Sequence, residues 1–407
     1  MAEAPQGRRP WLRLALVAPG AVSLVLVVGA WLGLVELPRR ELPALTVRAA
    51  QLRRELSARL ARPPIGGAAR DCDSRVEALA AARASAPSMD GLGLVDLDSR
   101  DIAHPPIPRI GLADLGSPPS RFASLAWAAS HRREATAYLD AARCRWAPRA
   151  LPDGEGWRDT HTARVMTRTA LALVRPDPAR CVVASVAATR LAQDVAPAEW
   201  DEDALNGILG HLAFAEDVGL ACAREAPVDA VRAAARDLRA LDGASRSYLD
   251  SLRARSSWDA QRLLRDATEL RRVRIVNTRF YVHSVRDALE TSDRWSRLGS
   301  LTEAKLVRAL RDDDPTRVSS RAIAVAAECR ARVRAFALGL EALAAAMEAS
   351  SETEIAPLAV PTAIDLTDPF DGAPLRARLG RTGTLEIFSI GPDGPGGRDA
   401  VLASVER

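Results

Sequence analysis

The sequence predicts a mainly α-helical protein: a single N-terminal transmembrane helix, an antiparallel, repeat-like helical soluble body and a small C-terminal β-hairpin module. Three observations predict it. Residues 14–35 read LALVAPGAVSLVLVVGAWLGLV without one charged residue. Apolar residues then recur at i, i+3, i+4 spacing over most of 121–349. After Ala349 that periodicity stops, and a two-residue alternation takes over on both sides of Gly380-Arg381-Thr382-Gly383.

The apolar run divides the chain. At ~1.5 Å per residue, its roughly 22 residues suffice to cross a ~30 Å hydrocarbon layer. Leu14, Val25 and Val35 mark its start, middle and end as the membrane anchor. Arg8, Arg9 and Arg13 precede it; Arg39, Arg40 and Arg48 follow it, so the basic flanks nearly balance. The run is longer than the apolar core of a cleaved signal peptide, and no A-x-A site follows it. The expected arrangement is therefore an uncleaved signal-anchor, with residues 1–13 in the cytoplasm and the body outside it, in the periplasm or beyond. The motif Arg8-Arg9-Pro10-Trp11-Leu12-Arg13 is similar to a twin-arginine export signal, but an Arg-rich n-region accounts for it more simply.

Composition supports helices. Hydrophobic residues make up 48% of the 407, aromatics only 4%. A core of Ala and Leu suits close-packed helices, because Ala has the highest helix propensity and small side chains let axes approach. Net charge is only +4, with acidic and basic residues interspersed, and no basic stripe of a nucleic-acid binder is present. The expected partners are the lipid bilayer and other proteins, not nucleic acid.

In chain order, residues 36–120 form a stalk helix and a Pro-rich irregular region. Leu45, Ala49, Leu52, Leu56 and Leu60 repeat at helical spacing until Pro63-Pro64 and Gly66-Gly67. A short helix is expected over 74–85. Pro105, Pro106, Pro108, Pro118 and Pro119 then interrupt the chain. Residues 121–318 form a helical domain, with helices expected over 121–143, 157–174, 178–195, 200–224, 228–241 and 245–292, the last broken once. Breaks fall at Pro176-Asp177-Pro178, near Pro197, at Asp242-Gly243 and at Asp312-Asp313-Asp314-Pro315. Short connections favour antiparallel neighbours. Residues 319–407 comprise a final helix over 319–349 and the hairpin module.

No residue pattern nominates a chemistry. Cys72, Cys144, Cys181, Cys222 and Cys329 include no C-x-x-C pair. One disulfide candidate, Cys181–Cys222, fails if the intervening turn lies at Pro197: Cys222 then overshoots by about 8 residues, or roughly 12 Å. Buried free thiols are the alternative. His104, His131, His161, His211 and His283 are far apart, and neither a nucleophile elbow nor a phosphate loop nor a dinucleotide motif occurs. No catalytic residue is therefore named. The leading expectation is an envelope protein of structural or protein-interaction role. A membrane-tethered enzyme assembled from His104, His211, His283 and carboxylates is one alternative; an accessory component of a secretion or pilus-like system is another.

The C-terminal end carries a resemblance. Asp368-Pro369-Phe370-Asp371-Gly372-Ala373-Pro374-Leu375, then Leu385-Glu386-Ile387-Phe388-Ser389-Ile390-Gly391-Pro392-Asp393-Gly394, resembles the end of the globular head of type II secretion major pseudopilins. It is also similar to the ending of a group of membrane-anchored, helix-rich bacterial proteins of uncharacterised function, which the whole chain resembles more. The pseudopilin resemblance implies a turn, a strand and a calcium-binding loop with the Ser389 region, Asp393 and Asp399 as ligands. Here that loop contains Arg398 and only two carboxylates, whereas Ca²⁺ takes about six to eight oxygens. The expectation is thus a glycine-rich turn with no cofactor, Asp393 and Asp399 being weak calcium candidates. At the other end, the processing site of pilins is missing before Leu14.

Overall fold

A computed structural model of the protein describes residues 22–60, 132–140, 142, 167, 170, 171, 173–195, 202–243, 248–270, 278–312, 320–350, 356–361, 364–391 and 400–406. The chain divides into two compact units, each discontinuous in sequence: Met1–Leu56 with Ser256–Ser296, and Ser57–Arg255 with Arg297–Arg407.

Helix α1 begins at residue 22, passes through a π-helical turn at Leu32–Glu36 and continues as α-helix over Leu37–Leu60. The π-turn has a local cause. Pro38 has no N–H to give to residue 34, and the widened turn sits just ahead of it. Beyond it the helix becomes one-sided. Leu45, Ala49, Leu52 and Leu56 of the stripe expected from spacing are buried, together with Leu42.

In the first unit this stripe shares a core with parts of α6 (Tyr248–Leu270) and α7 (Thr278–Ser296). Ala260 and Leu264 contribute from α6, and Val282, Val285, Leu289 and Trp295 from α7. Gln261 accepts from Arg53 Nη1 at 3.1 Å and donates to the Ala49 carbonyl at 3.5 Å. Ion pairs Glu41–Arg286 and Arg48–Asp293 join α1 to α7 at the same offset of 245 residues. Two pairs seven positions apart on both helices mean that α1 and α7 run parallel and in register.

The second unit is built around a ring of four helices: α3 (Pro178–Val195), α4 (Glu202–Ala223), α5 (Val228–Gly243) and α9 (Ser320–Ala349). Each packs on two others in the order α3, α4, α9, α5. The helix α2 (Arg132–Asp140) leans on α3, and α8 (Glu303–Asp312) on α9. Asp177 caps α3, its Oδ1 accepting from Arg180 N at 3.1 Å, with Pro178 in the first turn where no N–H is needed. Helix α8 is absent from the sequence-based reading. The ring also corrects the expected repeat-like stacking. Its closing member α9 lies far along the chain, so the helices do not simply pack on their sequence neighbours.

Helix α9 has apolar residues on every face. Ile323, Val333, Phe336, Leu338, Leu340 and Leu343 are all at most 2% exposed, because α4, α5, α8 and the sheet enclose it. Gly219 of α4 permits the closest approach. A Cβ there would lie 2.4 Å from Phe336 Cζ and 2.9 Å from Ser185 Cβ. Phe336 thus wedges between α3 and α4.

The C-terminal sheet has order β1-β2-β3, all antiparallel: β1 (Arg376–Leu379), β2 (Leu385–Ser389) and β3 (Ala400–Val405). The expected hairpin is present. Gly380 N donates to Thr384 O at 2.8 Å, and Gly383 takes φ +78°, a conformation open to glycine. The third strand was not anticipated. β3 pairs with β2 through a bulge between Ile387 and Phe388, and it packs with β2 on α9.

Two further expectations change. Cys181 and Cys222 form a disulfide, with Cα atoms 6.0 Å apart. The spacing argument failed because it placed a tight turn at Pro197. Helix α3 ends at Val195 and α4 begins at Glu202, and the chain between them is long enough to offset the two axes by the ~9 Å required. Among the described residues, no helix is long and apolar enough to cross a membrane. The expected span starts at Leu14, and residues 14–21 of it lie outside the described residues.

Candidate functional site

The most unusual surface in the described structure is the start of α1. Val22, Leu24, Val25, Leu26, Val27, Val28, Trp31 and Leu32 are 40–70% exposed. Residues 24–28 advance by about 100° each, so they cover the full circumference of the helix. A protein partner alongside would cover one face only; a lipid environment covers all of them. In water, side chains exposed to this degree forgo roughly half of the ~1.5–3 kcal/mol that full burial of each would bring, a group total comparable to the stability margin of a typical domain. Val25, at 70%, is the most exposed of them, and Val35 lies in the π-turn where the exposed stretch ends.

The other residues singled out from the sequence are not gathered into a site. Asp393, Asp399, His104, His131, His161, Cys72, Cys144 and Leu14 lie outside the described residues. His211 is buried in α4 of the second unit. His283 is exposed on α7 of the first unit, its Nε2 3.4 Å from Asp287 Oδ2 one turn on. Cys329 is free and buried, and burial pushes its thiol up to about 12, with Glu328 adding and Arg332 opposing. Such a thiol is a packing group rather than a nucleophile. Among the described residues, no three His, Cys, Asp or Glu side chains converge to hold a metal.

Three polar clusters escaped the sequence reading, and each is structural. In the first, Arg334 Nε donates to Asp242 Oδ2 at 3.0 Å, its Nη1 donates to the Thr367 carbonyl at 2.6 Å, and its Nη2 lies 2.8 Å from Glu303 Oε2. Arg330 pairs with the second oxygen of each carboxylate, at 3.1 and 2.9 Å. Two guanidinium groups and two carboxylates neutralise one another and tie α5, α8 and α9 together. A signal was available: Arg330 and Arg334 stand one turn apart in an Ala-rich helix.

In the second cluster, Arg332 Nη1 donates to the Leu402 carbonyl at 2.9 Å and lies 3.5 Å from Glu216 Oε2. Burial drives the Glu216 carboxyl well above the ordinary carboxylate range, Arg332 opposes the shift, and Asp217 adds to it. In the third, Asp368 is fully buried. Its Oδ1 accepts from Phe370 N and its Oδ2 from Ile390 N, both at 3.0 Å. Asp371 caps the same turn by accepting from Ala373 N at 2.9 Å and pairs with Arg376 at 2.9 Å.

A cleft of about 290 Å³ between α2, α3 and α5 is lined mostly by small apolar side chains, with Arg180 and Thr136 as its polar members. It brings together no acid, base and nucleophile. The chain matches no family model, no curated protein and no solved structure in the comparisons made.

Proposed function

We propose that the chain is a single-pass membrane protein of structural or protein-interaction role, anchored by residues 14–35, with its body in an oxidising compartment. One observation carries the reading: apolar side chains are exposed around the whole circumference of α1 from Val22 to Leu32, whereas from Leu42 onward Leu42, Leu45, Ala49, Leu52 and Leu56 form one buried stripe. Two further observations support it. The Cys181–Cys222 disulfide suits an extracytoplasmic location. The two halves of the pseudopilin-like ending meet through the bond from Ile390 N to Asp368, which is what a common C-terminal cap would need.

The test is alkaline carbonate extraction of membranes from cells making the full chain. The wild type should stay in the membrane pellet, and the double variant Val25→Arg, Leu26→Arg should be lost from it. Release of the wild type would contradict the anchor.

A further inference from the structure

We propose that the N-terminal end of α7 is a second membrane contact, an aromatic and basic tip that docks at the lipid headgroup boundary beside the anchor. The inference rests on the proposed anchor and adds to it a surface far away in sequence. Its basis is the register of α1 and α7. The Glu41–Arg286 and Arg48–Asp293 pairs share the offset of 245 residues. Carried six residues back, that offset sets Phe280 level with Val35, the end of the apolar run. The backbone agrees, since the π-turn Leu32–Glu36 packs against α7.

At that level the first unit presents side chains suited to a membrane boundary. Phe280 is 65% exposed, although α7 buries Val282, Val285 and Leu289 on its other side. Its ring meets Tyr281 edge to face, with centroids 5.7 Å apart. Arg279 is exposed beside it and forms no ion pair among the described residues. On α1, Trp31 is 47% exposed, and Arg40 is exposed while paired with Glu36 at 3.3 Å. Aromatic rings collect where hydrocarbon meets headgroups, and an adjacent guanidinium binds lipid phosphate. An isolated exposed Phe would mean little. A Phe, a Tyr, a Trp and an exposed Arg at the height where the apolar helix ends form an amphipathic rim. The partner is accordingly the bilayer boundary itself, with anionic lipids preferred.

Site-specific photocrosslinking of the full chain in phosphatidylcholine–phosphatidylglycerol vesicles tests this. The probe p-benzoylphenylalanine replaces, one at a time, Val25 in the anchor, Phe280 at the tip and Arg294 near the far end of α7, and lipid adducts are read by mass spectrometry. Both Val25 and Phe280 should give lipid adducts, at yields on the order of tenfold above Arg294, because the depth of the boundary is small against the ~21 Å between positions 280 and 294. Raising the phosphatidylglycerol fraction should raise the Phe280 yield, and Arg279→Glu should lower it. Adducts at Val25 with none at Phe280 would overturn this inference and leave the anchor standing. No adducts at Val25 would overturn both. Equal labelling at Phe280 and Arg294 would mean contact along the whole helix and would also overturn a tip-first docking.

Discussion

Gly219→Ala is the substitution whose outcome the helix ring decides most sharply. On helix propensity alone, alanine should stabilise α4 by about 1 kcal/mol. The structure opposes this. The added Cβ would stand 2.4 Å from Phe336 Cζ, 3.0 Å from Phe336 Cε2 and 2.9 Å from Ser185 Cβ, where carbon–carbon contacts settle near ~3.5–4.0 Å. Neither neighbour has room to retreat: Phe336 is 1% exposed, and Ser185 is fully buried with its hydroxyl donating to the Cys181 carbonyl at 3.0 Å. Overpacking of this kind costs roughly 1–3 kcal/mol, so the net change should be a loss of up to about 2 kcal/mol. Urea unfolding of the detergent-solubilised chain, followed by far-ultraviolet circular dichroism, measures it. The decisive comparison is a double-mutant cycle with Phe336→Leu. That change removes the ring atoms the methyl would strike and leaves only the Ser185 contact, so Gly219→Ala should cost less on its background, with a coupling above ~1 kcal/mol. A stabilised single variant, or strict additivity between the two changes, would refute the wedge.

Other parts of the second unit make separate predictions. Replacing Cys181 and Cys222 by Ala should lower stability by about 4 kcal/mol on the loop-closure estimate for a separation of 41 residues, read as a fall in the urea midpoint, and reductant should reproduce it in the wild type. Arg334→Met leaves the buried Asp242 and the half-buried Glu303 to Arg330 alone and should cost about 3 kcal/mol; Arg334→Lys should recover little, since one ammonium cannot reach Asp242, Glu303 and the Thr367 carbonyl together. Glu216 gives a signed pH effect. Its folded carboxyl holds a proton more tightly than in the unfolded chain, so its stabilising contribution is complete below the unfolded value of 4.5 and is lost as pH rises through the higher folded value. Glu216→Gln should therefore flatten the fall in urea midpoint as pH rises above 4.5; the flattening is partial, because burial also raises Asp217 and Glu328. A midpoint that falls as steeply in the variant would remove Glu216 as the source.

Local signals were legible in the sequence and long-range ones were not. Helix α3 was delimited correctly at Pro178 and Val195, because Pro176-Asp177-Pro178 carries both a break and a cap. The buried stripe of α1 and the Gly380–Gly383 hairpin turn were likewise readable from spacing and turn chemistry. Helix α9 could be placed by its Ala content, but its burial on every face weakens periodicity and hides which helices surround it. Pairing α1 with α7 across some 245 residues has no local signature. The β3 strand, with Ala400, Ala403 and Ser404 between its larger residues, alternates too weakly to stand out. The polar clusters were misjudged for a related reason. Arg330, Arg332 and Arg334 resemble solvent-facing charges in one dimension and become half-buried or buried ties once α4, α5, α8 and β3 close around them.

Topology is the claim on which the placement of the body and its disulfide in an oxidising compartment depends. Thr382, exposed in the hairpin turn of the second unit, provides the reporter. In a Cys72→Ser, Cys144→Ser background, Thr382→Cys is treated with a membrane-impermeant maleimide in spheroplasts before and after lysis. A body outside the cytoplasm predicts full labelling before lysis. Labelling only after lysis would contradict the account.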